Sequence, residues 1–212
     1  MTNNLNITGF CKIRNNNIIL DDKLLYSENE VVTSFEFLKK SYKHFNINYP
    51  KFFKMDNLSK LGFLTTEILI NQYSNIKNIS PEKTAIVLSN SSSSLDTDLA
   101  YNESIKDDTN FFPSPSVFVY TLPNIMIGEI CIRHKFTGEN VFFVSDKFDK
   151  KLIFNHVNNL FLLSNVEYCI TGWVEFLKNS YESFVCIVKK SNENDLKNCI
   201  FDEENLLNIY KK

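Results

Sequence analysis

Five cysteines and three histidines are the residues best suited to covalent or acid–base chemistry in this chain: Cys11, Cys131, Cys169, Cys186 and Cys199, with His44, His134 and His156. A nucleophilic cysteine needs its thiolate, and the thiolate needs a base, a cation or a helix N-terminus beside it. The cysteines here are odd in number, form no C-x-x-C pair, and four lie inside apolar runs such as Glu129-Ile-Cys-Ile and Phe184-Val-Cys-Ile-Val. That pattern describes reduced, buried thiols acting as small hydrophobes in a cytosolic protein. Cys131 and Cys169 in particular read as structural thiols rather than displaced nucleophiles. His134, within Ile132-Arg-His-Lys, fits a satisfied surface histidine that complements a helix dipole. His156 can face either a sheet or solvent, and His44 stands alone. Three scattered histidines without paired carboxylates at ligand spacing predict no metal site, and nothing calls for a cofactor. The run Ser91, Ser92, Ser93, Ser94 follows an apolar strand, where open α/β sheets place ligands, but its composition is equally that of an ordinary loop. No G-x-S-x-G nucleophile elbow occurs.

The composition narrows the function classes. Net charge is −2, from Lys+Arg 23 against Asp+Glu 25, with the signs interspersed. This leaves no basic footprint for nucleic acid and no polybasic anchor for a membrane. No apolar run approaches the roughly 18 residues of a spanning helix. The opening MTNNLNITGF lacks the charged and apolar regions of a signal peptide, so a cytoplasmic location is expected. Nineteen Phe and nine Tyr predict a core filled with aromatic rings. The richness in Asn, Lys, Ile and Phe is the bias of an AT-rich coding sequence, so the clusters Asn3–Asn4 and Asn15–Asn17 are expected to say little about function.

The elements that must position these residues follow from periodicity. Leu5–Cys11 reads as a strand closed by the turn Arg14-Asn-Asn-Asn, with Ile18–Leu20 as a hairpin return. A helix fills the later part of Glu30–Phe45, and Tyr49-Pro50 marks a boundary. Leu58, Leu61, Leu64, Ile68 and Leu69 give Lys54–Tyr73 one apolar helical face. Thr84–Ser89 is an apolar strand, and Leu95–Ile105 a helix capped at Ser94. A proline-punctuated loop spans Phe111–Pro115, and a helix spans Asn124–Lys135 before Gly138. Asn140–Ser145 is a strand, Asp149–Leu163 an amphipathic helix, Val166–Val174 and Ser183–Val188 are strands, and Asp202–Tyr210 is a short helix. Apolar strands alternating with helices predict one α/β domain over 1–212, with a mixed, mostly parallel sheet covered by helices on both faces. The last two strands are expected to pair antiparallel at one edge.

In this order the segments resemble the N-terminal half of β-ketoacyl-acyl-carrier-protein synthases, of the thiolase-like superfamily. Asn6-Ile-Thr-Gly-Phe is similar to the family's opening strand, and Lys54-Met-Asp-Asn-Leu-Ser-Lys-Leu-Gly to its R-K-M-D helix. Thr84-Ala-Ile-Val-Leu-Ser-Asn is similar to the next strand and loop. Phe112-Pro-Ser-Pro, followed by Leu122-Pro-Asn and Gly128, resembles the segment before the active-site strand, and Phe136-Thr-Gly-Glu-Asn its G-x-G-P turn. Gly172 matches a glycine at the end of a later strand, with Trp173 as packing. The resemblance implies half of an internally duplicated five-layer fold.

It also implies what is missing. The family carries its nucleophilic cysteine at a strand-to-helix elbow, and here Ser145, Asp146 and Lys147 run through that position. Asp146 and Asp149 would disfavour a nearby thiolate, while Lys147 could hold an anionic group. The family's histidines and lysine belong to its C-terminal half, so no catalytic residue is assigned and condensation by this polypeptide alone is not expected. A half-fold is expected to leave a face without cover, marking an association site. The strand bearing Val141, Phe142, Phe143 and Val144 resembles the one that pairs across the family's dimer. These implications describe a chain-length-factor-like accessory subunit in bacterial fatty-acid or polyketide (aryl-polyene-type pigment) synthesis. It would form a homodimer, or a heterodimer with a full-length ketosynthase, with acyl carrier protein as a further partner. The alternatives are a stand-alone acyl-thioester-binding protein, or a hydrolase or decarboxylase using Ser91–Ser94 or His156.

Overall fold

A computed structural model describes residues 4–106, 112–191 and 199–212. Phe111 of the proline-punctuated loop, and Asn3, lie outside the described residues. The chain opens on a three-stranded meander, β1 (Leu5–Arg14), β2 (Asn17–Leu20) and β3 (Lys23–Ser27). Both of its turns are two-residue turns with left-handed backbone, Asn15 and Asn16 at φ 48° and 58°, Asp21 and Asp22 at φ 48° and 63°. Asn and Asp tolerate that region better than other side-chain-bearing residues, and such turns match the twist of a hairpin. Asn15 and Asn16 therefore have a structural role that compositional bias does not explain.

Helix α1 (Ser34–His44) begins at a capping box between Thr33 and Glu36. Helix α2 (Asn57–Gln72) is buried on every side from Leu58 to Ile70, beyond the single apolar face its leucine spacing predicts. Gly62 admits the Met126 side chain, and Thr65 satisfies its hydroxyl on the Leu61 carbonyl, which lets the polar positions sit inside. Strand β4 (Thr84–Asn90) follows, then α3 (Leu95–Glu103), the single turn α4 (Pro115–Phe118), α5 (Ile125–His134) and β5 (Asn140–Val144). Helix α6 (Lys150–Leu163), the hairpin β6 (Tyr168–Leu177) and β7 (Ser180–Lys190), the short β8 (Cys199–Ile200) and α7 (Glu203–Lys211) complete the order.

The strands form one sheet in the order β3-β2-β1-β7-β6-β4-β5, with β8 also on β1. The α/β class and the mixed sheet are those expected from the sequence, but the balance of pairings is not. Strand β4 is parallel to β5 and β6, and every other pairing is antiparallel. A strand buried on both faces reads as a continuous apolar run whichever way its neighbours point, so periodicity could not decide the direction. The β6–β7 hairpin, expected at an edge, occupies the middle of the sheet, with β1 beyond it.

Alternation divides two cores. Ile86 and Leu88 of β4 face α1, α2 and α5, with Leu61, Leu64 and Ile127. Ala85 and Val87 face α6 and α7, with Val157, Leu160 and Leu206. The outward positions of α6 and α7 include Lys151, Asn155, Asn159, Glu204, Asn208 and Lys211, all exposed. Among the described residues helices pack on both faces of the sheet, and large apolar side chains stay exposed on α3, α5 and α6, among them Leu95, Leu99, Ile132, Leu162 and Leu163. The C-terminal segment β8–α7 supplies cover on the α6 side, because β8 anchors on Asn6 and Ile7 and α7 buries Leu206 and Ile209. No single helix among the described residues is long and apolar enough to cross a membrane.

Candidate functional site

The parallel part of the sheet is where a site is built. The chain leaves β4 for α3–α5 on the α2 side and leaves β5 for α6 on the opposite side. Adjacent parallel strands whose connections depart to opposite faces open a crevice at their C-terminal ends, the usual ligand position in such sheets. The Ser91–Ser94 loop and the Ser145–Asp149 elbow stand at those strand ends. The two loops are held together by the Ser145 amide, which donates to the Asn90 carbonyl at 2.9 Å.

The serine loop is tied down by a residue that sequence reasoning passed over. Glu175 of β6 accepts from the Ser91 amide (2.6 Å), the Ser91 hydroxyl (2.7 Å), the Ser92 amide (3.2 Å) and the Ser92 hydroxyl. Ser93 adopts φ 53° and exchanges hydrogen bonds with the Asn90 side chain. Ser94 stands before α3 but does not cap it, since its hydroxyl turns to the Thr121 carbonyl at 2.5 Å. Two of the four hydroxyls thus face a carboxylate already shared among four donors. The signal for Glu175 was an acid inside the apolar run Trp173-Val-Glu-Phe, which must find donors.

In the elbow, Asp146 and Lys147 are exposed, and Ser145 donates its hydroxyl to the Lys147 carbonyl at 2.9 Å. The inward position belongs to Phe148. Its ring is buried against Tyr210 (4.5 Å between centroids), Phe184 (5.8 Å) and Trp173 (6.2 Å). The N-terminus of α6, whose free amides are the part of such an elbow suited to a thiolate or oxyanion, is occupied by Asp149. Its carboxylate accepts from the Lys151 and Leu152 amides, both at 3.0 Å.

The remaining candidates separate. His156 turns toward the sheet, its ring edge-on to Phe143 at 5.1 Å, with Nε2 buried and lacking a hydrogen-bond partner. The His134 side chain is 5% exposed, not a surface residue. Its Nε2 lies 3.0 Å from Glu67, which Arg133 also binds through Nε (3.2 Å) and Nη2 (2.7 Å). Burial pushes the Glu67 carboxyl up, but hydrogen bonds and charge from His134 and Arg133 outweigh it and hold the group at about 2. Cys11, Cys169 and Cys186 are buried, and burial raises each thiol well above its usual range. Burial raises the half-buried Cys131 to about 11. None of these is a poised nucleophile. Gly172 lies in the middle of β6 rather than at its end.

The Lys54-Met-Asp segment is a brace. Asp56 caps α2 through the Ser59 amide (2.9 Å) and accepts from the Thr97 hydroxyl of α3 (2.6 Å), beside a cleft of about 220 Å³ that Asp96 and Tyr120 also line. Burial, the largest influence on Asp56, pushes its carboxyl up.

Strand β5 pairs with β4 alone and is an edge of the sheet. Val141 and Phe143 pack toward the α6 core and Phe142 toward the α2 core, while Val144 is 55% exposed. It carries no Lys, Pro or bulge, the usual protections of an edge.

No protein-family model and no curated protein matches the chain. Solved structures do. The ishigamide ketosynthase/chain length factor aligns with TM-score 0.64 and 12% identity over 91% of this chain and 63% of that one. The AntDE:AntF structure, a type II polyketide synthase acyl-carrier protein in complex with its ketosynthase bound to the hexaketide, gives 0.62 and 12% over 89% and 62%. The ketosynthase ApeO in complex with its chain length factor ApeC from Xenorhabdus doucetiae gives 0.58 and 12% over 90% and 80%. The chain therefore spans less than two thirds of the first two chains and four fifths of the third. At this identity the likeness establishes the fold, which is that of the thiolase-like ketosynthase and chain-length-factor proteins.

Proposed function

We propose that this chain is a non-catalytic, chain-length-factor-like accessory subunit of bacterial fatty-acid or polyketide synthesis, with an aryl-polyene-type pathway as the nearest setting. The observation that carries this reading is the elbow. It keeps the strand–turn–helix path of the fold, yet it contains no cysteine, fills its inward position with Phe148, and covers the α6 amides with the Asp149 carboxylate. A site so arranged has no thiol nucleophile, and the α6 amides that could receive an oxyanion are already taken. The edge strand β5 supports the second half of the reading, since its unprotected hydrogen-bonding groups suit pairing with an equivalent strand of a full-length ketosynthase. In that assembly the accessory chain would bound the acyl tunnel, acyl carrier protein would deliver to the active partner, and the location would be cytoplasmic.

The test is mass in solution by light scattering, alone and after co-expression with a full-length ketosynthase from the same source. A one-to-one complex, together with condensation activity that requires the ketosynthase cysteine and is absent from this chain alone, is the expected result. A chain that ignores the ketosynthase, or condenses acyl thioesters unaided, overturns the reading.

A further inference from the structure

The basic run Arg133-His-Lys at the end of α5 lines a cavity of about 260 Å³, together with Glu67 and Lys77. Consecutive residues of a continuing helix point about 100° apart and do not share one concavity. Here the three do, because Lys135 leaves the helix in left-handed backbone, at φ 60°. Lys77 joins them from the turn Ser74–Asn78, which follows α2.

Glu67 is the one acid among the lining residues, and Arg133 and His134 already engage it. Three of the five N–H groups of Arg133 have acceptors, two on Glu67 and one on the Asn48 carbonyl at 3.3 Å. Two remain for a further acceptor. The guanidinium is also held over the Tyr49 ring at 5.1 Å, and the His134 ring stacks on buried Phe136 at 5.4 Å. These two groups are therefore fixed before any ligand arrives, which lowers the cost of binding one. Lys77 donates to a neutral partner, the Asn71 side-chain oxygen, at 2.8 Å. Lys135 has no side-chain partner among the described residues. Three cations thus face one carboxylate, and the negative end of the α5 dipole offsets only about half a charge of the excess.

We propose that this cavity binds a phosphate monoester, with Lys77, Lys135 and the two remaining N–H groups of Arg133 as donors. These donors belong to three side chains on two elements. They suit a tetrahedral anion with three terminal oxygens and a charge near that excess, rather than a carboxylate with two coplanar oxygens and a single charge. The volume admits such an anion together with several waters. The cavity lies toward the start of β5, whereas the elbow follows its end, so the proposal is independent of the accessory-subunit reading.

The test is titration of the ¹⁵N-labelled full chain with inorganic phosphate at low ionic strength, against chloride at equal ionic strength. A second arm measures binding to phosphatidylcholine vesicles with and without phosphatidate, which carries the same monoester on a lipid. The expected result in the first arm is a saturable shift of the Lys77, Arg133, His134 and Lys135 amides with phosphate and not with chloride. Lys77→Gln and Lys135→Gln should each weaken binding about tenfold, and the double variant more. Both lysines are exposed and stand outside the Glu67 contacts, and urea unfolding checks that the variants keep the wild-type fold. Binding in either arm that the double variant loses supports the site, and the arm that responds identifies a free or a lipid-borne source. No saturable response in either arm, or one that the double variant keeps undiminished, overturns the proposal.

Discussion

Replacing Glu67 with Gln should weaken the fold by about 3 kcal/mol at neutral pH, and the penalty should shrink as the solution is acidified. Glu67 sits inside α2, 3% exposed, and holds Arg133 and His134 from the last turn of α5. Its folded value of about 2, against an ordinary carboxyl value of about 4.3, corresponds to about 3 kcal/mol of stability. Because the folded value is depressed, that contribution is complete above the unfolded value. It declines as pH falls toward 2, with about half remaining at pH 3. Arg133 is 29% exposed and can recover part of its hydration when its partner is removed, which keeps the loss at the lower end for a broken buried pair. The assay is urea unfolding followed by the fluorescence of Trp173, the single tryptophan, 3% exposed in the α6 core. Wild type and Glu67→Gln should differ by about 3 kcal/mol at pH 7 and by about half that at pH 3. A difference below about 1 kcal/mol at pH 7, or one that does not change between the two pH values, would refute the assignment of Glu67 as the charged pin between α2 and α5.

Three further outcomes are expected. Asp149→Ala removes the cap that satisfies two amides of α6 and should cost about 1 kcal/mol in urea unfolding; an unchanged midpoint counts against the carboxylate's place at that helix end. Gly172→Ala should abolish soluble expression or lower the melting temperature severely, because a Cβ there would sit 1.9 Å from the Phe184 carbonyl oxygen in a backbone of φ 157°. A soluble variant of near-native stability would mean that β6 and β7 are not so closely paired. Thiol titration of the native protein at pH 8 should leave Cys11, Cys169 and Cys186 unreactive, with all five cysteines reacting in denaturant. Rapid reaction of Cys169 in the native state would contradict its burial.

Much of the element order was legible because it depends on local signals. Helices α6 and α7 follow from their amphipathic spacing and from Asp149 and Asp202 at their starts, and β4 and β5 from short apolar runs. Strand β3 was missed because Lys23-Leu-Leu-Tyr-Ser is an exposed edge strand with no alternation to detect. The pairing directions were not legible, since Ile170 and Ile187 are equally buried whether their neighbours run parallel or antiparallel. The site divides in the same way. Ser91–Ser94 and Ser145–Lys147 were found because loops at strand ends are written in composition. Glu175, Phe148 and Tyr210 were not, because their roles come from residues distant in sequence that only the folded sheet brings together. His134 was misjudged for a related reason. Its basic neighbours suggest a solvated helix end, and its partner Glu67 lies on another helix.

The elbow and the C-terminal helix are best understood as one adaptation. A strand-to-helix elbow that holds a nucleophile must leave its inward side open to a substrate, and that side is normally completed by further protein. Here Phe148 fills it, and the ring that covers Phe148 is Tyr210, carried by α7. Tyr210 is fixed in turn by its hydroxyl on Glu182 (2.7 Å) and by the Arg14 guanidinium over its face, and Arg14 also binds Glu182 at 2.9 Å. These contacts join α7 to β1 and β7, so the same short segment that covers the sheet also closes over the inward side of the elbow. A bulky inward ring without α7 would expose aromatic surface, and α7 without that ring would leave a void beneath Tyr210. Phe148 in the elbow and Tyr210 on α7 are therefore mutually dependent parts of one packed core.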